Sequence, residues 1–351
     1  MESTSKSEFS RELLHERHRL SHRQIDEWLG TKTSEYVYQE ETIQQLNHVA
    51  EFIKITDLFR ENDIPFISLK GPLLSLKIYG DPTVRKFNDF DFLIDEEYFL
   101  SALKLLLTLG YKIQEHGVPN NNCKMKLWYE YTNNIILYNP DKNRIIELHH
   151  RLFKQEIITK EKWKDLIKEH TNIIKFQQRN FQVFDHEFEL IYLLIHGGLH
   201  FWGRLKWLID IKKMIDCFHL NETKFIRIKE ITKAHNVINV YNALIKGYFP
   251  DSKPLPSANE DFLEKEISYA LKNINSSELI IPNDSQTYLQ HYIHRIRLFP
   301  SYRYKLSIIK GLLFDTDLLQ KKWMPCLRIV NYIIAPFWKL INRILLKSRR
   351  K

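Results

Sequence analysis

The run Lys86-Phe87-Asn88-Asp89-Phe90-Asp91-Phe92-Leu93-Ile94 alternates acidic and aromatic side chains and closes on aliphatic ones. On an extended strand, side chains two apart share a face, so Asp89 and Asp91 project side by side while Phe90 and Phe92 pack inward. Working outward, Pro65 introduces the short apolar run Phe66-Ile67-Ser68-Leu69, which stops at Lys70-Gly71-Pro72. Glycine supplies a turn there and proline suits a first helical position, so the reading is strand, turn, helix, ending near Gly80-Asp81-Pro82. After the acidic strand, residues 96–109 read as helical and stop at Gly110, with strands expected at 111–115, 126–138 and 144–149. The order is βαβα followed by strands, an α/β or α+β sheet domain.

Upstream, residues 8–62 carry apolar residues at helical spacings. From about 185 onward every pattern is helical, at 187–199, 205–218, 224–235 and 240–248, with a linker at Pro250-Asp251-Ser252-Lys253-Pro254-Leu255-Pro256. Three parts are expected: a helical segment over 1–62, a sheet domain over 63–184, and a helical domain with a basic tail over 185–351.

Two neighbouring carboxylates repel unless a cation neutralises them, and oxygen ligands suit a hard divalent ion of the kind that accompanies a nucleoside triphosphate. A third carboxylate is needed to bridge a metal pair and activate an attacking hydroxyl. Glu147 is the candidate, on the alternating run Arg144-Ile145-Ile146-Glu147-Leu148-His149-His150. It completes the set if its strand neighbours that of Asp89 and Asp91. His149 shares the face of Glu147 and could orient it or touch a metal-bound group; His150 points the other way.

The blocks Leu69-Lys70-Gly71-Pro72-Leu73-Leu74, Tyr79-Gly80-Asp81-Pro82 with Arg85, Asp89 to Ile94, Glu147-Leu148-His149 and His196 to Asp210 together span about residues 40–220. They resemble the uncharacterised nucleotidyltransferase family within the DNA polymerase β-like superfamily. The resemblance implies a minimal nucleotidyltransferase fold: an α+β mixed sheet flanked by helices, with an N-terminal helical segment and a C-terminal all-helical domain. It also implies that Gly71 opens a helix beside the triphosphate, that Asp89, Asp91 and Glu147 ligate Mg²⁺ or Mn²⁺, and that the donor is an NTP such as ATP. The implied reaction moves a nucleoside monophosphate to an acceptor hydroxyl and releases pyrophosphate; the acceptor could be a sugar, a small molecule, a protein or an RNA end. Gly71-Pro72 departs from the usual Gly-Ser or Gly-Gly, and Glu147 stands where the third acid is commonly Asp. Those departures support the alternative of a non-catalytic nucleotide-binding or partner-binding protein that retains the fold.

Lys70 and Arg85 flank the expected helix and could neutralise phosphate oxygens, Arg85 through a bidentate fork and Lys70 as a point charge. His196 and His200, four apart on one helix face, could ligate a metal, line a nucleotide or acceptor cleft, or simply pack the helix. Gly197 and Gly198 stand between them, so the H-E-x-x-H form of metalloproteases is absent.

The chain of 351 residues, 44% hydrophobic and 13% aromatic, can bury a sizeable core and does not have the composition of a disordered polymer. Cys123, Cys217 and Cys326 lie far apart without paired spacing, so neither a zinc knuckle nor a disulfide framework is expected and a cytoplasmic setting fits. Residues 1–8 hold no apolar signal region. The net charge of +9 is local: residues 295–351 carry fourteen Lys and Arg against Asp315 and Asp317, which leaves the rest slightly acidic. That basic segment, rich in Ile, Leu, Phe and Trp, reads as a closing helix of the helical domain; the other readings are an anionic membrane surface, RNA or an anionic glycan as its partner.

Overall fold

The computed structural model describes residues 9–114, 117–257, 263–280 and 285–348; residues 1–8, residue 115 of the expected strand and the basic tip 349–351 lie outside them. In chain order the helices are α1 (His22–Leu29), α2 (Glu35–Glu61), α3 (Gly71–Tyr79), α4 (Glu96–Thr108), α5 (Asn122–Tyr131), α6 (Lys160–Glu169), α7 (His186–Leu199), α8 (Leu205–Cys217), α9 (Glu222–Thr232), α10 (His235–Tyr248), α11 (Glu264–Asn275), α12 (Ser285–Leu298), α13 (Tyr302–Leu313) and α14 (Arg328–Ser348). The strands are β1 (Ile67–Ser68), β2 (Asp89–Leu93), β3 (Lys112–Ile113), β4 (Asn134–Asn139), β5 (Arg144–His149), β6 (Thr171–Phe176) and β7 (Arg179–Phe184). The class is α+β, and among the described residues only helices follow β7.

The chain forms two compact units, each assembled from three stretches: Met1–Lys54, Ser68–Asn88 and Ile157–Ser301 in the first, and Ile55–Ile67, Asp89–Glu156 and Tyr302–Lys351 in the second. In the second unit the strands run in the order β3-β4-β5-β2, with β1 beside β2. β4 is antiparallel to both β3 and β5, while β2 and β5 are parallel, so this sheet is mixed. Phe90 and Phe92 are buried as the alternation requires, and the ring of Phe92 meets Phe59 and Phe66 edge-on at 5.4 and 5.7 Å.

One expected strand is corrected. Residues 126–131 are not extended but form the end of α5, which Asn121 caps by accepting from the Cys123 and Lys124 N–H groups. Met125, Trp128 and Tyr131 then fall on one buried face at three-residue spacing. Only the latter part of the expected run, from Asn134, is strand.

A second correction concerns the cysteines. Cys123 at the start of α5 and Cys326 ahead of α14 form a disulfide, with Cα atoms 6.0 Å apart and 203 residues between them. It belongs to a broader attachment of α13 and α14 to this unit: Tyr131 stacks on Phe314 at 3.6 Å, its hydroxyl meets that of Tyr332, Lys124 Nζ donates to Lys321 O, and Arg328 pairs with Glu130.

In the first unit, β6 and β7 form an antiparallel hairpin whose two linking residues, Gln177 and Gln178, both take positive φ. α7 is buried on nearly all sides and packs against α8, α9 and α10. An added Cβ at Gly197 would run into the ring of Trp202, and one at Gly198 would lie 2.9 Å from Val237. Close packing therefore requires both glycines. Among the described residues no helix is long and apolar enough to cross a membrane.

Candidate active site

The register of β2 on β5 places Asp91 opposite Glu147 and Leu93 opposite His149. Strand alternation puts Glu147 and His149 on one face, and the parallel pairing brings that face level with Asp91. The neighbouring-strand condition set by the sequence is therefore met. His149 Nε2 lies 3.3 Å from Asp91 Oδ1 and 3.3 Å from Glu147 Oε2, and one donor atom from each of the three residues falls within 4.8 Å of the others. Asp89, two positions earlier on β2 and half-buried, is not one of those three.

Asp91 and His149 are buried, whereas the Glu147 side chain keeps 29% of its surface exposed. Burial alone would disfavour the imidazolium of His149, but hydrogen bonds and charges from Asp91 and Glu147 outweigh it and raise the pKa to about 9. The two carboxylates thus favour positive charge beside them. Its Nδ1 is buried without a hydrogen-bond partner. On β4, Asn134 sits opposite His149 and donates from Nδ2 to Glu147 Oε2 at 2.8 Å. Sequence reading did not single out Asn134; an asparagine on a strand carries no signal until its partner strand is known. His150 points the other way, its Nε2 3.1 Å from Thr132 Oγ1 and its ring against Phe99, Trp128 and Tyr129.

The remaining sequence-selected residues belong to the first unit. Lys70 is half-buried immediately ahead of α3, and Gly71 opens that helix at φ +68°, a left-handed conformation that favours glycine. Nothing lies within 4 Å of where a Cβ would be, so the requirement is the backbone angle rather than crowding. Gly80, at φ +70°, ends the helix. Arg85 is buried against Asp210: Nε lies 3.0 and 2.9 Å from the two carboxylate oxygens and Nη2 lies 2.9 Å from Oδ2. Its backbone N–H donates to Ser75 Oγ, whose hydroxyl donates to Asp81 O. His196 and His200 lie with ring centroids 4.6 Å apart, both against Trp207.

A second cluster in this unit, His15, His22 and Glu41, has ligand atoms close enough for an ion. Lys86 Nζ stands 2.9 Å from His15 Nε2, so an ammonium already serves that cluster.

Solved structures similar to this chain include a lincosamide antibiotic adenylyltransferase with lincomycin bound, at 17% identity and TM-score 0.34, covering 48% of this chain and 97% of that one. Another is an antigenic nucleotidyltransferase-like protein from Paracoccidioides brasiliensis, at 15% identity and TM-score 0.35, covering 64% and 93%. No curated protein matches. Residues 19–245 match the family described as uncharacterised nucleotidyltransferase, a span that holds Asp89, Asp91, Glu147 and His149 and takes in well over half of the chain. The chain belongs to that family and is a nucleotidyltransferase.

Proposed function

We propose that this enzyme transfers a nucleoside monophosphate from a nucleoside triphosphate, ATP first among them, to an acceptor hydroxyl in a reaction that depends on a divalent cation. The observation that carries the reading is the convergence of Asp91, Glu147 and His149 across the parallel β2–β5 pair. Two carboxylates and a buried imidazole, with one ligand atom of each within 4.8 Å of the others, form a donor set that fits a divalent ion, whose binding would release the proton that the carboxylates favour on His149. Asp89, Asp91 and Glu147 would hold it through oxygen, as Mg²⁺ prefers, while the imidazole nitrogen makes Mn²⁺ a competent substitute. When bound, the ion would offset charge on the attacking and leaving oxygens.

The acceptor hydroxyl attacks the α-phosphorus in line, the bond to the β-phosphate oxygen breaks, and pyrophosphate departs. Glu147, the less buried carboxylate of the trio, takes the hydroxyl proton, and the Asn134 amide holds that carboxylate in place. In the first unit, Lys70 and the left-handed turn at Gly71 supply a cation and the backbone N–H groups of the first turn of α3, groups that suit a phosphate. Arg85 is assigned to fixing the turn ahead of β2, because Asp210 already neutralises it.

The test is Asp89→Asn with Asp91→Asn. Pyrophosphate release, measured with labelled nucleotide and cell extract as the acceptor source, should fall by at least about a hundredfold with an unchanged circular dichroism spectrum. Retained turnover would remove the assignment. Pro72 lacks an N–H and so takes one donor from the first turn of α3, which favours a second reading, a nucleotide-binding protein without turnover. Calorimetry showing nucleotide binding with no transfer across a panel of acceptors would select it.

A further inference from the structure

α13 and α14 pack against one another in the second unit, and each still presents an apolar stripe to solvent. On α14 the inner face is occupied: Val330, Ile334 and Trp338 surround a cluster of Leu318, Met324 and Ala335. The opposite stripe, Ile329, Ile333 and Phe337 at four-residue spacing, is 63%, 60% and 67% exposed. On α13, Tyr304 and Ile308 are buried while Leu306, Ile309 and Leu313 are exposed. Trp323 and Leu327, in the segment joining the two helices, are exposed as well. A soluble surface carries single apolar residues without consequence, but exposed apolar stripes on each of two packed helices mark an interaction face.

Charge identifies the occupant. Residues 302–351 hold twelve Lys and Arg against Asp315 and Asp317, and Lys305, Lys321 and Lys322 are exposed. A second copy of the chain would bring two such cationic faces together. Nucleic acid would be met by stacking aromatics, whereas seven of the ten large apolar residues exposed between 302 and 337 are aliphatic. Aliphatic stripes on a cationic segment match a helix lying in the headgroup region of an anionic bilayer.

We infer that the outer stripes of α13 and α14 dock this enzyme on anionic lipid membranes as a peripheral protein. The inference is independent of the reaction proposed above. The contacts of α5 with the C-terminal segment, including the Cys123–Cys326 disulfide, join this face to the sheet that carries Asp91 and Glu147.

The test is co-sedimentation of the full chain with vesicles of phosphatidylcholine alone or with about 30% phosphatidylglycerol. Binding is expected on the anionic vesicles only, and weaker at high salt. Ile333→Asp with Phe337→Asp should lower the partition coefficient at least about tenfold. Lys321→Glu with Lys322→Glu, which leaves the apolar stripe intact, should lower it about threefold or more. Thermal unfolding of each variant checks its fold. Wild-type binding to neither vesicle, or equally to both, overturns the inference. So does a concentration-dependent dimer in lipid-free buffer that Ile333→Asp with Phe337→Asp abolishes.

Discussion

Asp210→Asn removes the carboxylate that meets the Arg85 guanidinium through both Nε and Nη2. The two side chains are 5% and 1% exposed, so water cannot replace the lost charge. Removing one member of a buried ion pair costs about 3–5 kcal/mol, less where another charge attracts the survivor, as Glu189 does Arg85. The asparagine oxygen still accepts one hydrogen bond, which places the expected loss near the lower end, about 3 kcal/mol. With a urea dependence of about 3 kcal/mol per molar, the unfolding midpoint should drop by about 1 M. Urea titration followed by circular dichroism measures this, and a loss below about 1 kcal/mol would refute the reasoning. Arg85→Met with Asp210→Leu should recover most of the stability, since an apolar pair of similar volume replaces the ions. If that double variant instead raised the KM for nucleotide by about tenfold, Arg85 would belong to the triphosphate site and not to the scaffold.

Gly197→Ala pushes a methyl group into the fully buried ring of Trp202 and should cost about 1–3 kcal/mol, read as a fall of several degrees in Tm; an unchanged Tm would contradict the packing. His18 is buried, accepts the Leu205 N–H at Nδ1, and has its pKa pushed down to about 3 by burial and then by the charges of Arg17 and Arg204. Above pH ~6.5 it is neutral folded and unfolded; as pH falls below that, only the unfolded chain takes the proton, so up to about 1.4 kcal/mol is lost per pH unit toward pH 3. His18→Asn should flatten that part of the stability profile, and an identical slope would show that another group controls it. Alkylation without reductant should label Cys217 alone, and reduction should expose three thiols and destabilise the chain by up to about 5 kcal/mol, given the 203-residue separation of Cys123 and Cys326. Three labelled thiols without reductant would show that the pair is open.

Local sequence determined what local physics controls. Gly71-Pro72 and Gly80 delimit α3 because left-handed φ and a fixed proline φ act within one turn. The alternation of Asp89 to Phe92 and of Ile146 to His149 showed which side chains share a face, since a strand repeats every two residues. The β6–β7 hairpin carried no such signal, because Gln177-Gln178 is not a usual left-handed turn pair. The end of α5 reads equally well as strand, because Leu127, Trp128, Tyr129 and Tyr131 suit either element until burial selects one.

Tertiary structure decided pairings between distant residues. Asp91 faces Glu147 only because β2 pairs with β5 in parallel at one register, and a shift of one residue would send His149 to the other face. Arg85 is directed to Asp210 across 125 positions, and Cys123 to Cys326 across 203. The attachment of α13 and α14 to the unit holding β2 and β5 is of the same kind. Sequence spacing carries the geometry of one element; which elements meet is fixed by the cooperative burial of many apolar faces, and no short stretch encodes that.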